Sequence, residues 1–180
     1  INTNQTVQII DKPSTHFNER TCKIDMIVLH ATATDTLEQT FYYLIEKEEQ
    51  PRVSAHYVID RDGTIYRLVD ETKRAWHAGV STWDAVSEDI NSHSIGIEFQ
   101  CPAIGEQAFG EFTLAQIEAG MALCQDLMKR YQIHPHNVVA HSDIAPGRKY
   151  DPGLTFPFEQ FWRAGICDNP MRRPLNIRRK

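Results

Sequence analysis

The 180-residue chain reads as an α/β protein, a single domain with a central mixed β-sheet flanked by helices. Three observations predict this. Short apolar runs rich in branched residues alternate with two segments of helical period, so strands and helices take turns along the chain. Asp62-Gly63 sits between two β-rich runs and signals a tight hairpin, which requires part of the sheet to be antiparallel. An apolar share of 41% and a charged share of 24% suit an ordinary globular protein with its own core.

Each element has its reason. Residues 1–23 mix polar side chains with Pro13, show no period, and read as an extended N-terminal arm. The apolar run 24–30 is too short for a core helix and reads as a buried strand. Leu37, Phe41, Leu44 and Ile45 recur at helical spacing, with residues 46–49 facing water and Pro51 as a stop. Segments 56–60 and 64–69 form the arms of the hairpin, and 74–91 is a polar, turn-rich stretch. Another strand is expected at 94–100. Thr113 and Gln116 make a capping box that opens a helix with Ile117, Met121, Cys124, Met128 and Tyr131 on one face. A strand at 137–141 follows Pro135, and Phe158, Phe161 and Trp162 suggest a short closing helix. The folded domain is expected over 24–165, followed by a basic tail, 166–180.

Composition narrows the function. A net charge of -5 supplies no basic field to neutralise phosphates, so nucleic acid is excluded as a partner. The cluster Arg172, Arg173, Arg178, Arg179 and Lys180 reads as a solvated tail. Cys22, Cys101, Cys124 and Cys167 form no CxxC pair, which speaks against a structural zinc site and leaves disulfides open. No apolar run is long enough to span a bilayer, so no transmembrane segment is expected. A chain that starts at Ile1 suggests removal of an N-terminal segment; the cell envelope or secretion is expected over the cytoplasm, and a monomer over an oligomer.

The chemistry centres on His30 closing MIVLH, His141 closing NVVAH, and Asp151 in GRKYDPG. Two imidazoles and one carboxylate, each where a strand runs out into a loop, are the usual ligand set of one catalytic zinc ion. The same donors suit iron(II), but the oxygenases that use them are built on many-stranded jelly rolls, and two good helices speak against that. Strand alternation puts Met26, Val28 and His30 on one face, and separates Gly96 and Glu98 from Ile95, Ile97 and Phe99. A carboxylate in so apolar a strand needs a partner: if Glu98 shares the face of His30 it is the base a zinc hydrolase requires, and otherwise it is an edge-strand glutamate facing solvent. Lys149 stands two residues before Asp151 and, in extended backbone, projects to the same side, where its ammonium would stabilise a carbonyl oxygen under attack. Arg74, Trp76, His77 and Trp83 are candidate groove residues. His56 joins them, with a supporting role behind the site or a core position as its other readings.

Taken together, IVLHATAT, RVSAHYVIDRDGTIYRLV, RAWHAG, SIGIEF and VVAHSDIAPGRKYDPG closely resemble the AmpD/AmiD-type N-acetylmuramoyl-L-alanine amidases. That zinc family also includes the peptidoglycan-recognition proteins, and the resemblance runs in order from Ile24 to Trp162. It implies hydrolysis of the amide between N-acetylmuramic acid and L-alanine in peptidoglycan or muropeptides. It implies zinc ligands at His30, His141 and Asp151, a catalytic glutamate at Glu98 and a catalytic lysine at Lys149. Its fold is a central mixed sheet with helices around it. The rival reading is a peptidoglycan-binding module without catalysis; such modules lose a zinc ligand, and this chain keeps all three candidates.

Overall fold

Branched apolar residues at Met26–Ala31 and Ser94–Phe99 form the two longest strands, paired in parallel along their full length. They belong to a computed structural model that describes residues 8–172 apart from Ala85 and Ser87. Arg173, Arg178, Arg179 and Lys180 of the basic tail lie outside the described residues.

In chain order the strands are β1 (Ile9–Asp11), β2 (Phe17–Glu19), β3 (Met26–Ala31), β4 (Tyr57–Ile59), β5 (Ile65–Arg67), β6 (Lys73–Ala75), β7 (Ser94–Phe99), β8 (Ala103–Gly105), β9 (Ala108–Phe109) and β10 (Val138–Ala140). The helices are α1 (Leu37–Phe41), α2 (Ile90–His93), α3 (Leu114–Tyr131), α4 (His141–Ile144) and α5 (Phe158–Arg163). The main sheet runs β1-β5-β4-β7-β3-β10. Only the β4–β5 pair is antiparallel among these neighbours, so the Asp-Gly hairpin is what makes the sheet mixed. The segment read as an extended arm carries β1, which pairs with β5, and β2, which pairs with β6.

The register decides which residues share a face. Ile27, Leu29, Ile95, Ile97 and Phe99 point to one side and pack with Ile117, Leu123, Cys124 and Leu127 of α3 and Phe161 of α5. Each such side chain, fully buried, contributes on the order of 1.5–3 kcal/mol. On the other side Met26 and Val28 pack against Ala78, Ile90 and Ile144, while Val58 packs under α1. His30 pairs with Glu98 and Val28 with Gly96 on this second side. Helices cover both faces, and the polar site sits at the C-terminal end of the parallel strands, where α/β sheets place their ligands.

Two helices differ from the sequence reading. The segment beginning at Leu37 is helical only to Glu46, and its second half, Tyr42–Glu46, widens into a π-turn. On α3 the capping box forms as expected, but the fully buried stripe is Gln116, Ile117, Gly120, Leu123, Cys124 and Leu127. Met121, Met128 and Tyr131 pack at its edge. The helix is rotated because Gly120 lets it settle onto the Phe99 ring: a Cβ there would come within 2.5 Å of that ring.

Candidate metal centre and active site

The alternation of β3 brings His30 out at the second face next to its last residue, and β10 delivers His141 as the first residue of α4. The loop after α4 then returns Asp151, whose carbonyl accepts the Ser142 N–H at 3.1 Å. His30 Nδ1 lies 3.0 Å from His141 Nδ1 and 3.1 Å from Asp151 Oδ2. His141 Nδ1 lies 3.1 Å from Asp151 Oδ1. All three residues are buried, and their ligand atoms fall within 4.8 Å of one another. Glu98 Oε1 is 4.0 Å from His30 Nδ1, while its Oε2 is buried without a hydrogen-bond partner.

The donor set fits a divalent cation. The Ala78 carbonyl, 3.0 Å from His141 Nε2, can only accept, so His141 donates there and turns the lone pair of Nδ1 toward the cluster. Electron-rich atoms facing one another at these distances are stabilised by a cation between them. Burial, then the neighbouring His141, pushes the His30 imidazole down to about 4, so it is the neutral ring that a metal requires. Burial alone would raise the Asp151 carboxyl, but the two imidazoles beside it hold it well below the usual range. Burial and the nearby Asp151 push the Glu98 carboxyl well above its ordinary value, and the Lys149 ammonium opposes that rise. Lys149 is exposed at the rim, its backbone N–H held by the Ala145 carbonyl at 2.9 Å.

The candidate groove residues are placed differently. His77 is buried, with Nδ1 3.0 Å from His30 Nε2 and Nε2 3.1 Å from Ser94 Oγ; it stands behind His30 and lines no groove. His56 is also closed off from solvent, accepting the Gly96 N–H on Nδ1 and facing the Lys73 carbonyl on Nε2, and burial pushes it down to about 3. Its ring meets that of His77 edge to face at 5.9 Å, so it is a buried histidine packed behind the one that backs His30. Trp83 donates to Asn137 Oδ1 just before β10 and packs against the cluster that holds Ala78, Val139 and Ile144. Arg74 pairs with Asp89 at 2.7 Å, and Trp76 donates to Asn18 Oδ1 at 3.0 Å, so both are engaged with the arm and its neighbours.

Several polar groups carried no legible signal. Asn91 Oδ1 accepts the N–H groups of His77 and Ala78 at 3.0 and 2.8 Å and fixes that turn. Arg148 donates to the Ala78 and Val80 carbonyls, tying the Asp151 loop to the same turn. Gln100 donates to the Thr34 carbonyl at 2.7 Å and accepts from the Thr34 and Thr40 hydroxyls, which pins the loop after His30. Beside that loop opens a cavity of about 410 Å³, bordered by Asp35, Glu38, Tyr42 and Tyr43.

Comparison with known proteins bears on this site. The profile of the N-acetylmuramoyl-L-alanine amidases matches residues 20–154, a span that holds His30, Glu98, His141, Lys149 and Asp151. The chain is 39% identical over 166 residues to N-acetylmuramoyl-L-alanine amidase AmiD of Escherichia coli K12, covering 86% of this chain and 58% of AmiD. It is 43% identical over 110 residues to 1,6-anhydro-N-acetylmuramyl-L-alanine amidase AmpD of Citrobacter freundii, covering 61% of this chain and 56% of AmpD. The chain thus spans under three fifths of the length of these two curated relatives. The solved complex of E. coli AmiD with anhydro-N-acetylmuramic acid-L-Ala-D-gamma-Glu-L-Lys superposes with a TM-score of 0.74 at 34% identity, over 88% of this chain and 70% of that one. With three quarters of its residues inside the family's span, and the buried polar cluster among them, this chain belongs to the N-acetylmuramoyl-L-alanine amidase family.

Proposed function

We propose that the chain hydrolyses the amide between N-acetylmuramic acid and L-alanine in peptidoglycan or muropeptides, using one zinc ion. The observation that carries this is the buried convergence of His30, His141 and Asp151 with a partnerless Glu98 carboxylate oxygen beside it. AmiD, which shares the fold, has been solved with a muropeptide substrate bound.

His30 Nδ1, His141 Nδ1 and the Asp151 carboxylate would hold the ion. When bound, zinc supplies Lewis-acid chemistry, polarising a carbonyl and lowering the pKa of water to about 7. Glu98 takes the proton of the attacking water on a carboxylate oxygen; its burial makes it a stronger base than a solvated carboxylate. As the C–N bond breaks, that proton passes from Glu98 to the departing alanine nitrogen, and the lactyl carbonyl carbon keeps the new C–O bond. Lys149, free at the rim, brings an ammonium toward the oxygen on which negative charge grows. The cavity beside the loop after His30 offers the Tyr42 and Tyr43 rings for a sugar face and the Asp35 and Glu38 carboxylates for an amine of the stem peptide. Among the described residues no helix is long and apolar enough to cross a membrane.

Zinc-loaded protein mixed with purified sacculi or a muropeptide should release stem peptide with a free N-terminal alanine, and a chelator should stop it. Release that fails with zinc present refutes the hydrolase; retention on sacculi without release would support the binding-module reading instead.

A further inference from the structure

The histidine behind His30 belongs to a closed chain of hydrogen bonds whose direction can be read from its ends. Ser94 Oγ donates its single proton to the Ile90 carbonyl at 2.7 Å, which leaves that oxygen only as an acceptor toward His77 Nε2, 3.1 Å away. His77 therefore carries its proton on Nε2 and offers the lone pair of Nδ1. His30 Nε2, 3.0 Å from that lone pair, must donate, and so His30 Nδ1 is the bare nitrogen that faces His141 and Asp151. We propose that His77, steered by Ser94, is a positioning residue that fixes the tautomer and ring orientation of His30 for metal binding. This rests on the zinc reading of the site given above.

Three further features hold the relay in place. Asn91 Oδ1 accepts both the His77 and the Ala78 backbone N–H, so the turn that carries His77 cannot swing. The His77 ring lies over Gly96, where a Cβ would come within 2.5 Å of it, so the strand leaves room for that ring alone. The rings of His30 and His77 meet edge to face at 5.1 Å, which sets the plane of His30 against its neighbour. On the opposite flank the Ala78 carbonyl fixes His141 in the same sense, so one short turn, 77–78, orients both imidazoles. Partners that orient a ligand in this way typically matter 10–100-fold to metal affinity.

The test uses Ser94→Ala, His77→Leu and His77→Asn, the last of which keeps an acceptor in the place of Nδ1. Zinc affinity is measured by competition with a chromophoric chelator, and the His30 tautomer by long-range 1H–15N NMR of the zinc-free protein, with circular dichroism to confirm folding. We expect His77→Leu and Ser94→Ala to weaken zinc about 10–100-fold and to give His30 a mixture of tautomers, and His77→Asn to recover most of the affinity. Unchanged affinity and an unchanged His30 tautomer in the first two variants would overturn the relay. Should the wild type bind no zinc, the metal reading fails, whereas the tautomer of His30 in the zinc-free variants still decides the relay.

Discussion

At Glu98 two effects pull in opposite directions. Removal from water favours the neutral acid, while a cation held by His30, His141 and Asp151, as proposed above, would favour the carboxylate. A base poised between them is suited to accept a proton and return it. Glu98→Gln keeps the shape and removes the proton acceptor, so kcat should fall by roughly 10²–10⁴-fold while bound zinc stays at one ion per chain. Steady-state cleavage of a muropeptide alongside metal analysis checks this, and a variant that retained kcat would place the base elsewhere. Strand alternation separated Glu98 from the apolar residues of its own strand but left open whether it shared the face of His30 or faced solvent; the register, which sets Glu98 opposite His30, decides that. His77 was read as lining a groove because it stands between Trp76 and Ala78-Gly79 in a turn-rich stretch, where binding groups collect. Only the space over Gly96, contributed from another strand, draws it inward. Ser94 and Asn91 gave no signal at all: each acts on the 77–78 turn, which only the fold brings beside them.

At the scale of elements, α3 shows a local preference losing to packing. In an exposed helix Gly→Ala gains about 1 kcal/mol. At Gly120 the added methyl would meet the Phe99 ring at 2.5 Å, and overpacking a tight core costs about 1–3 kcal/mol. Gly120→Ala should therefore destabilise the protein, seen as a lower urea midpoint with an unchanged slope; a higher midpoint would show that Phe99 gives way. The capping box and the Asp-Gly hairpin were readable because each is written in adjacent residues. The stripe that α3 buries was not, because periodicity weighs Met121 and Met128 as apolar and takes no account of a glycine through which the helix approaches the sheet. The π-turn at Tyr42–Glu46 was likewise illegible, since its apolar spacing matches that of an ordinary helix.

For the whole molecule, the mixed sheet with helices on both faces follows from the alternation of strands and helices, and the arm's pairing with β5 and β6 does not, because three-residue strands carry too little pattern. The buried imidazoles also set the acid response. His30 is lowered to about 4, His56 to about 3, and His77 well below 6.5. Their contribution is full above about pH 6.5, where folded and unfolded rings are both neutral, and is lost as the pH falls toward 4, where the unfolded chain takes up the protons. Glu98 works the other way, since its raised value lets the folded state bind a proton first. His136, raised by its bonds to Asp168 and Asp84, also works that way, but the three buried imidazoles carry large downward shifts, so the melting temperature of zinc-free protein should drop between pH 7 and pH 4.5; a flat or rising profile would contradict this. The ligand positions have one more consequence, topological in kind. His30 and His141 stand 111 residues apart in the chain, one on β3 and the other on the first residue of α4, directly after the edge strand β10. An ion that joins them is a clip across most of the polypeptide. Cross-linking a loop of that size restricts the unfolded chain by about 4.7 kcal/mol in the simplest entropy model. The same atom that serves the chemistry would thus fasten the end of β10, the edge strand of the sheet, to the neighbouring β3.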